Sequence, residues 1–170
     1  MLRRWPIAVA ATLLFGGIAH GEELRYTQGY LLIDADVGRK TVNWKLNDEF
    51  AIDELPIGRT LRLVKLEKGK YQWQQISVPF FDLPHLLDVS DDSRWAFTIE
   101  GGRVNYVGTL IVGEVRETDN VDVRFVNRLS EVLDRFEAEF PEEAAQYELA
   151  YSGRHRDDFL NDYLASDDAP

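Results

Sequence analysis

The chain of 170 residues has 30 acidic and 19 basic side chains, a formal net charge of −11, and no cysteine. An acidic surface repels nucleic acid and anionic membranes, so we expect no nucleic-acid partner. Without cysteine there is no disulfide framework, no thiol nucleophile and no thiolate metal site, and stability must come from a buried core.

Residues 1–21 have the pattern of a secretory signal peptide. Arg3 and Arg4 precede an apolar run over 7–15, and small residues at positions 19 and 21 fit cleavage after Gly21. The run is shorter than the about 20 residues that span a bilayer. We therefore predict cleavage and a periplasmic or secreted protein that is not membrane-embedded, with an uncleaved anchor as the alternative.

Residues 22–126 are predicted to form one mainly β domain, because short alternating runs are separated by turn residues. Strands are predicted over 24–36, 41–46, 60–66 and 71–78, with turns at 37–40 and 55–58, an ambiguous acidic stretch at 47–54 and an irregular link at 79–84. The strand at 60–66 is apolar on both faces, which predicts a bulge near Leu63 and Val64. Between Trp73 and Ile76 the apolar residues likewise change from odd-numbered to even-numbered positions. The alternation of this strand is therefore interrupted as well, a feature called the phase slip below.

The sequence predicts two hairpins after these strands. Trp95, Phe97 and Ile99 alternate with polar or small residues, and Gly101-Gly102 is typical of a two-residue turn leading into a strand over 104–112. A second hairpin is predicted from 113–117 to 121–126. These elements predict an antiparallel β-sandwich of the immunoglobulin-like or prealbumin-like kind.

At Asn127, a suitable N-cap, the apolar period changes from two to about 3.6. Pro141 is expected to end the helix, and 142–150 is either a short helix or irregular. Two final helical turns are predicted over 157–164, followed by a disordered tail at 166–170. We therefore predict that 127–165 is a C-terminal α-helical extension that packs on the sandwich. Five residues form the apolar face by which this helix is predicted to pack on the sandwich: Leu129, Val132, Leu133, Phe136 and Phe140.

The sequence contains only weak matches to metal-binding and catalytic motifs. The acidic loop at 88–93 lacks the Gly and the Glu that a calcium loop requires at its diagnostic positions, so we expect no metal and no cofactor. His155 lies between two arginines, which predicts a lowered pKa from like charge. Asp34 and Asp36 share one strand face at a spacing of about 7 Å, as in a glycosidase pair, but both lie at a predicted strand end beside a turn, so a solvated strand end is the favoured interpretation.

The remaining candidates for ligand or partner binding are Tyr71, Trp73, Trp44 and His85. Exposed aromatic side chains would form a platform for a sugar or an anchor for a protein. Aromatic residues also favour strands, which places them in the core in the alternative interpretation. His85 follows Leu83-Pro84 and would act as a general base only if its neighbours converge on it.

Two segments together resemble a known group of proteins. They are residues 67–73, with a Gly-x-Tyr strand opening, and residues 97–108, Phe-Thr-Ile-Glu-Gly-Gly-Arg-Val-Asn-Tyr-Val-Gly. The pair resembles small exported β-sandwich proteins of unknown function, namely DUF2846-like lipoproteins and prealbumin-like modules. The resemblance covers about residues 60–112 and implies an accessory or binding domain, with no functional residues to transfer. This chain lacks the lipid-bearing cysteine of many such proteins.

These observations favour a non-enzymatic periplasmic binding or accessory protein that contacts another envelope component, most simply a protein, through its acidic surface and the face of Tyr71 and Trp73. Three alternatives remain from the sequence. They are an acidic inhibitor or immunity protein, a carboxylate-dependent hydrolase using Asp34, Asp36 or His85, and a glycan-binding module.

Overall fold

The computed structural model describes residues 24–38, 41–47, 50–80, 83–115 and 120–155. It confirms a mainly β fold of two sheets with a short C-terminal helical segment. The predicted signal peptide (1–21), the helical turns (157–164) and the tail (166–170) lie outside the described residues. The strands are β1 Gln28–Val37, β2 Thr41–Leu46, β3 Phe50–Leu55, β4 Gly58–Glu67, β5 Gly69–Phe80, β6 Leu83–Asp88, β7 Ala96–Ile99, β8 Val104–Val115, β9 Asn120–Val126 and β10 Leu149–Tyr151, and the helices are α1 Leu129–Glu139 and α2 Pro141–Gln146.

Sheet 1 has the order β10-β8-β1-β4, with β9 also paired to β8, and sheet 2 has the order β3-β2-β5-β6, with β7 also paired to β5. The pairing in sheet 2 is antiparallel. Sheet 1 is mixed, because β1 and β10 both run parallel to β8. The sequence predicted antiparallel pairing throughout, since the alternation of side chains does not distinguish the two directions.

The two sheets share one apolar core, and a second apolar cluster joins sheet 1 to α1. Leu31 and Ile33 of β1 point into the first core, whereas Tyr30 and Leu32 point towards the helix. Sheet 1 is therefore covered on both faces, which explains why both faces of its central strands carry buried apolar residues. This arrangement also corrects the predicted bulge in β4, which pairs with β1 without interruption over all ten positions.

The phase slip in β5 is a real irregularity of the ladder, because the register between β2 and β5 shifts between Lys45 and Leu46. Trp73 and Ile76 therefore both reach the core although their positions differ in parity. The two similar sequence patterns have different origins, since β4 is covered on both faces and β5 contains a bulge.

The predicted hairpin around Gly101-Gly102 is wrong. Residues 96–99 form β7, which pairs with β5 in sheet 2, whereas β8 begins at Val104 in sheet 1. The two glycines carry the chain between sheets, and a Cβ at Gly101 would collide with the carbonyl oxygen of Tyr26. Glu100 and Arg103 do form the expected ion pair, at 2.9 Å. The second hairpin is confirmed by the pairing of β8 with β9, although its turn lies outside the described residues.

The C-terminal segment is helical and then returns to the sheet. The N-cap of α1 is Arg128, without a side-chain cap hydrogen bond, so the predicted N-cap at Asn127 is wrong by one position. The side chain of Asn127 does accept a hydrogen bond from the backbone N–H of Leu129 at 3.1 Å. Pro141 begins α2, as suits a residue without a backbone N–H. The chain then forms β10, which the sequence did not predict, alongside the first residues of β8. No helix among the described residues is long and apolar enough to cross a membrane.

Candidate functional site: a buried ion network beneath an acidic helical face

Among the described residues, Asp34 is the charged residue that the fold buries most deeply. It lies on the face of β1 that α1 covers, and it has no exposed surface. A carboxylate in such a place is tolerated only when charged or polar donors surround it. The neighbouring Asp36, on the same face near the end of β1, keeps partial exposure.

Sheet 1 itself supplies two of the polar partners. Thr109 donates a hydrogen bond from its hydroxyl to Oδ2 of Asp34 at 2.6 Å, and the hydroxyl of Tyr106 lies 2.8 Å from that of Thr109. The two side chains share a face because the register of β8 against β1 shifts between Tyr106 and Thr109. Gly108 lies at this shift with φ at 138°, a backbone conformation that favours glycine.

The helix supplies the counter-charge. Arg135 of α1 donates from one guanidinium nitrogen to Oδ1 of Asp34 at 2.6 Å and from the other to Glu139 at 3.0 Å. Arg59 of β4 lies 3.7 Å from Oδ2 of Asp34 and 3.2 Å from Glu131 of α1. The network therefore joins β1, β4 and α1, and it fixes the helix over one particular position of the sheet.

The start of α1 is attached to the same network. The backbone N–H of Arg128, which precedes the helix, donates to the hydroxyl of Tyr106 at 3.0 Å. Burial raises the pKa of Tyr106 to about 12, so the phenol stays protonated at neutral pH. Both oxygens of Asp34 are engaged and the carboxylate has no exposed surface. This arrangement can anchor a helix, but it gives a substrate no access to the carboxylate.

The outer face of the helical segment is strongly acidic. Arg135 is the one basic residue between Leu129 and Glu148, and its guanidinium is turned towards Asp34 with only 23% of the side chain exposed. Six acidic residues of this segment are exposed, namely Glu131, Asp134, Glu137, Glu139, Glu142 and Glu148. Leu133, which the sequence predicted to face the core, lies among them with 41% of its surface exposed.

The predicted aromatic surface is mostly core. Trp44 and Trp73 have no exposed surface and stack with ring centroids 3.8 Å apart. Tyr71 is half-buried and donates its hydroxyl to the carbonyl of Glu67 at 2.8 Å. The two indole rings therefore cannot contact a partner or a sugar, because the β5 bulge and the opposing sheet enclose them. Among the described residues, neither indole N–H has a hydrogen-bond partner.

The three residues of the hydrolase hypothesis do not share one sheet. Asp34 and Asp36 lie on the helix-covered face of sheet 1, whereas His85 lies in β6 of sheet 2, opposite Val78. The side chain of His85 lies outside the described residues. Since Asp34 is also enclosed, the structure does not place a pair of carboxylates around a common cleft.

The acidic loop between β6 and β7 is occupied by its own hydrogen bonds. Asp88 accepts from the backbone and hydroxyl of Ser90, and Asp92 binds the guanidinium of Arg94. The hydrogen bonds from Arg94 lower the pKa of Asp92 to about 2. Within the described ranges, no three acidic or histidine side chains are grouped as metal ligands.

His155 lies beside this loop, with its ring 5.2 Å from that of Phe125 in an edge-on arrangement. Its pKa is lowered, first by burial and then by the charge of Arg94. The sequence predicted the direction but attributed it to the adjacent arginines at 154 and 156. Within the described residues, the buried Nε2 atom of His155 has no hydrogen-bond partner.

No protein-family model, curated protein or solved structure matches this chain. The resemblance to DUF2846-like and prealbumin-like proteins therefore stays a prediction, and the site has to be interpreted from its own geometry.

Sequence reasoning identified Asp34 but not the residues that bind it. Arg135 is the signal that was available, because it is a lone cation in an acidic helix, two positions from the apolar face. Thr109 and Tyr106 gave no such signal, since only the shift at Gly108 brings them to one face.

Proposed function

We propose that this protein is a non-enzymatic binding module of the cell envelope, and that the outer face of α1 and α2 contacts a basic region of a partner protein. The observation that carries the proposal is the one-sided charge of the helical segment. Its single guanidinium is shared by Asp34 and Glu139, whereas Asp134, Glu137 and Glu142 are exposed carboxylates, so the solvent side carries a net negative charge.

The position of Leu133 supports an interface on this face. An exposed leucine surrounded by Asp134, Glu137 and other carboxylates matches the usual anatomy of an interface, where an apolar centre is enclosed by a polar rim. Opposite charges on a partner would speed association, and the rate would fall with ionic strength.

The placement in the envelope rests on the signal-peptide pattern of residues 1–21. An acidic inhibitor or immunity protein is a special case of the same proposal, in which the basic partner is a toxin or a lytic enzyme. In that case the binding protein would abolish the partner's activity at a ratio of one to one.

The test is capture from an envelope extract with the protein beginning at Glu22. The parent is compared with a Glu137→Lys/Glu142→Lys variant and with a control, Glu54→Lys/Asp91→Lys, that changes the net charge equally at exposed positions away from the helices. We expect the parent and the control to retain the same protein in low salt and the helix variant to lose it. Equal retention by all three, or no retained protein at either salt concentration, would contradict the proposal.

A further inference from the structure

A second surface differs from the helical face in both charge and geometry. The outer edge of β4 is paired with no strand among the residues that the structure describes. The strand has ten residues and an unbroken register with β1. A long regular edge of this kind is a template for another extended chain, and natural proteins usually protect such edges by shortening or distorting them.

The corresponding edge of sheet 2 is protected in that way. Its outermost strand, β3, has six residues, and Glu54 within it adopts a positive φ of 51°. A left-handed residue distorts the strand and interrupts its hydrogen-bonding edge. The edge formed by β4 contains no positive φ after its first residue, Gly58.

The hydrogen bonds show which backbone groups of β4 face outward. Tyr30 of β1 donates its N–H to Arg103 on the β8 side, and Lys68, just after β4, donates its N–H to Thr27 on the β1 side. Backbone groups of successive residues in a strand point to opposite edges. The even-numbered residues of β4 therefore bond to β1, and the N–H and C=O groups of Leu61 and Leu63 point away from it. The carbonyl of Glu67, which faces outward by the same rule, accepts the hydroxyl of Tyr71.

The charge of this edge opposes that of the chain as a whole. Residues 58–68, which are β4 and the residue after it, contain four basic side chains and one acidic side chain, in a chain whose net charge is −11. Arg59 belongs to the ion network with Asp34 and Glu131, and the other three are Arg62, Lys65 and Lys68. These cations repel a second copy of the same strand and attract a strand that carries carboxylates.

We propose that the edge of β4 binds an extended acidic segment of a partner protein by strand addition. Main-chain hydrogen bonds to Leu61 and Leu63 would supply the affinity, and the surrounding cations would select acidic side chains. The proposal concerns a surface separate from the acidic helical face and does not depend on it.

Hydrogen exchange measured by NMR tests the geometry residue by residue. In the free protein, we expect the amides of Thr60, Arg62 and Val64 to exchange slowly and the amide of Leu63 to exchange fast, since none of the described strands pairs with that edge. The probe is a capped ten-residue peptide of alternating Glu and Val, and its binding should slow exchange at Leu63 by about tenfold or more. Peptides of alternating Lys and Val, or of the acidic sequence with a central Pro, should produce no such protection, because one has the wrong charge and the other cannot complete the ladder.

A charge variant separates strand addition from general attraction. Arg62→Glu/Lys65→Glu should weaken binding of the acidic peptide by about tenfold or more. The control Arg124→Glu/Arg154→Glu changes the net charge equally near the opposite edge of sheet 1 and should weaken it less. The proposal is overturned if the amide of Leu63 is already protected in the free protein, if the acidic peptide gives no protection, or if both charge variants lose binding equally.

Discussion

The two faces of β1 are both buried, but by different kinds of contact. Every second residue from Leu31 to Val37 enters the apolar core between the sheets, where the large neighbours are aromatic and aliphatic. The opposite face begins with Tyr30 and Leu32 and then places Asp34 against Arg135 of the helix. One strand therefore contributes an apolar contact on one side and an ionic contact on the other.

Because the two faces of β1 are buried by different contacts, we expect substitutions on the two faces to affect different parts of the structure. Apolar burial has little directionality, so the core between the sheets depends on volume and shape. The ion network has specific partners and geometry, so it fixes where α1 lies and turns Arg135 away from solvent. The acidic outer face of the helix depends on that orientation. Variants that break the network should therefore act on the helix, whereas variants of the core should act on both sheets.

The largest expected effect is that of Asp34→Ala. The change leaves the half-buried Arg135 without its main partner, and breaking a buried pair from one side typically costs about 3–5 kcal/mol. Asp36→Ala, on the same face of the same strand but partly exposed, is expected to change the free energy of unfolding by about 0.5 kcal/mol or less. Urea denaturation of the two variants measures both values. Similar losses in the two would contradict the role given to the buried network.

Tyr106→Phe should have a smaller effect. It removes the hydroxyl that accepts from the N–H of Arg128, and an unpaired buried donor costs about 1–3 kcal/mol. The pKa of about 12 adds a dependence on pH. An unfolded phenol loses its proton near pH 10, before the folded one does, so stability should fall as the pH rises from about 10 to 12.

The matched control is Tyr71→Phe, which removes a hydroxyl bound to the carbonyl of the exposed Glu67. We expect a change of about 0.5 kcal/mol or less for this variant. A Tyr106→Phe variant as stable as this control, with the same alkaline dependence as the parent, would show that the phenol does not anchor the helix.

The smallest effect is expected at His155. Burial lowers its pKa, so on acidification the unfolded chain binds a proton at this position before the folded chain does. Its contribution to stability is therefore complete above the ordinary histidine pKa of about 6.5 and is lost progressively below it. His155→Phe keeps an aromatic ring against Phe125 and should make stability less dependent on pH between about 7.5 and 5.5. Identical slopes for parent and variant would rule this out.

Local features of the fold were predictable because they depend on neighbouring residues. The β8–β9 hairpin, the start of α1 to within one or two residues of Asn127 and the irregularity in β5 each follow from a short stretch of sequence. The assignment of strands to sheets depends on long-range contacts. The crossing at Gly101 was mistaken for a hairpin, because two glycines suit a tight turn and a close approach between sheets equally well.

The same reasoning applies to the site. Trp73 was a surface candidate because the alternation in β5 left its face undetermined. Asp34 was assigned to a strand end, although β1 continues to Val37 and α1 covers it. A buried carboxylate is recognised through its partners, and Arg135 lies 101 positions further along the chain.

The measurement that tests the ion network most directly is a double-mutant cycle between Asp34 and Arg135. The parent, Asp34→Leu, Arg135→Leu and the double variant are unfolded in urea at one pH, and the free energies of unfolding are compared. We predict that each single change costs about 3 kcal/mol or more and that the double variant loses at least about 1 kcal/mol less than the sum of the two, because the second change removes a charge that the first has left without its partner. Additive losses, within about 0.5 kcal/mol, would show that the helix is not held by this pair.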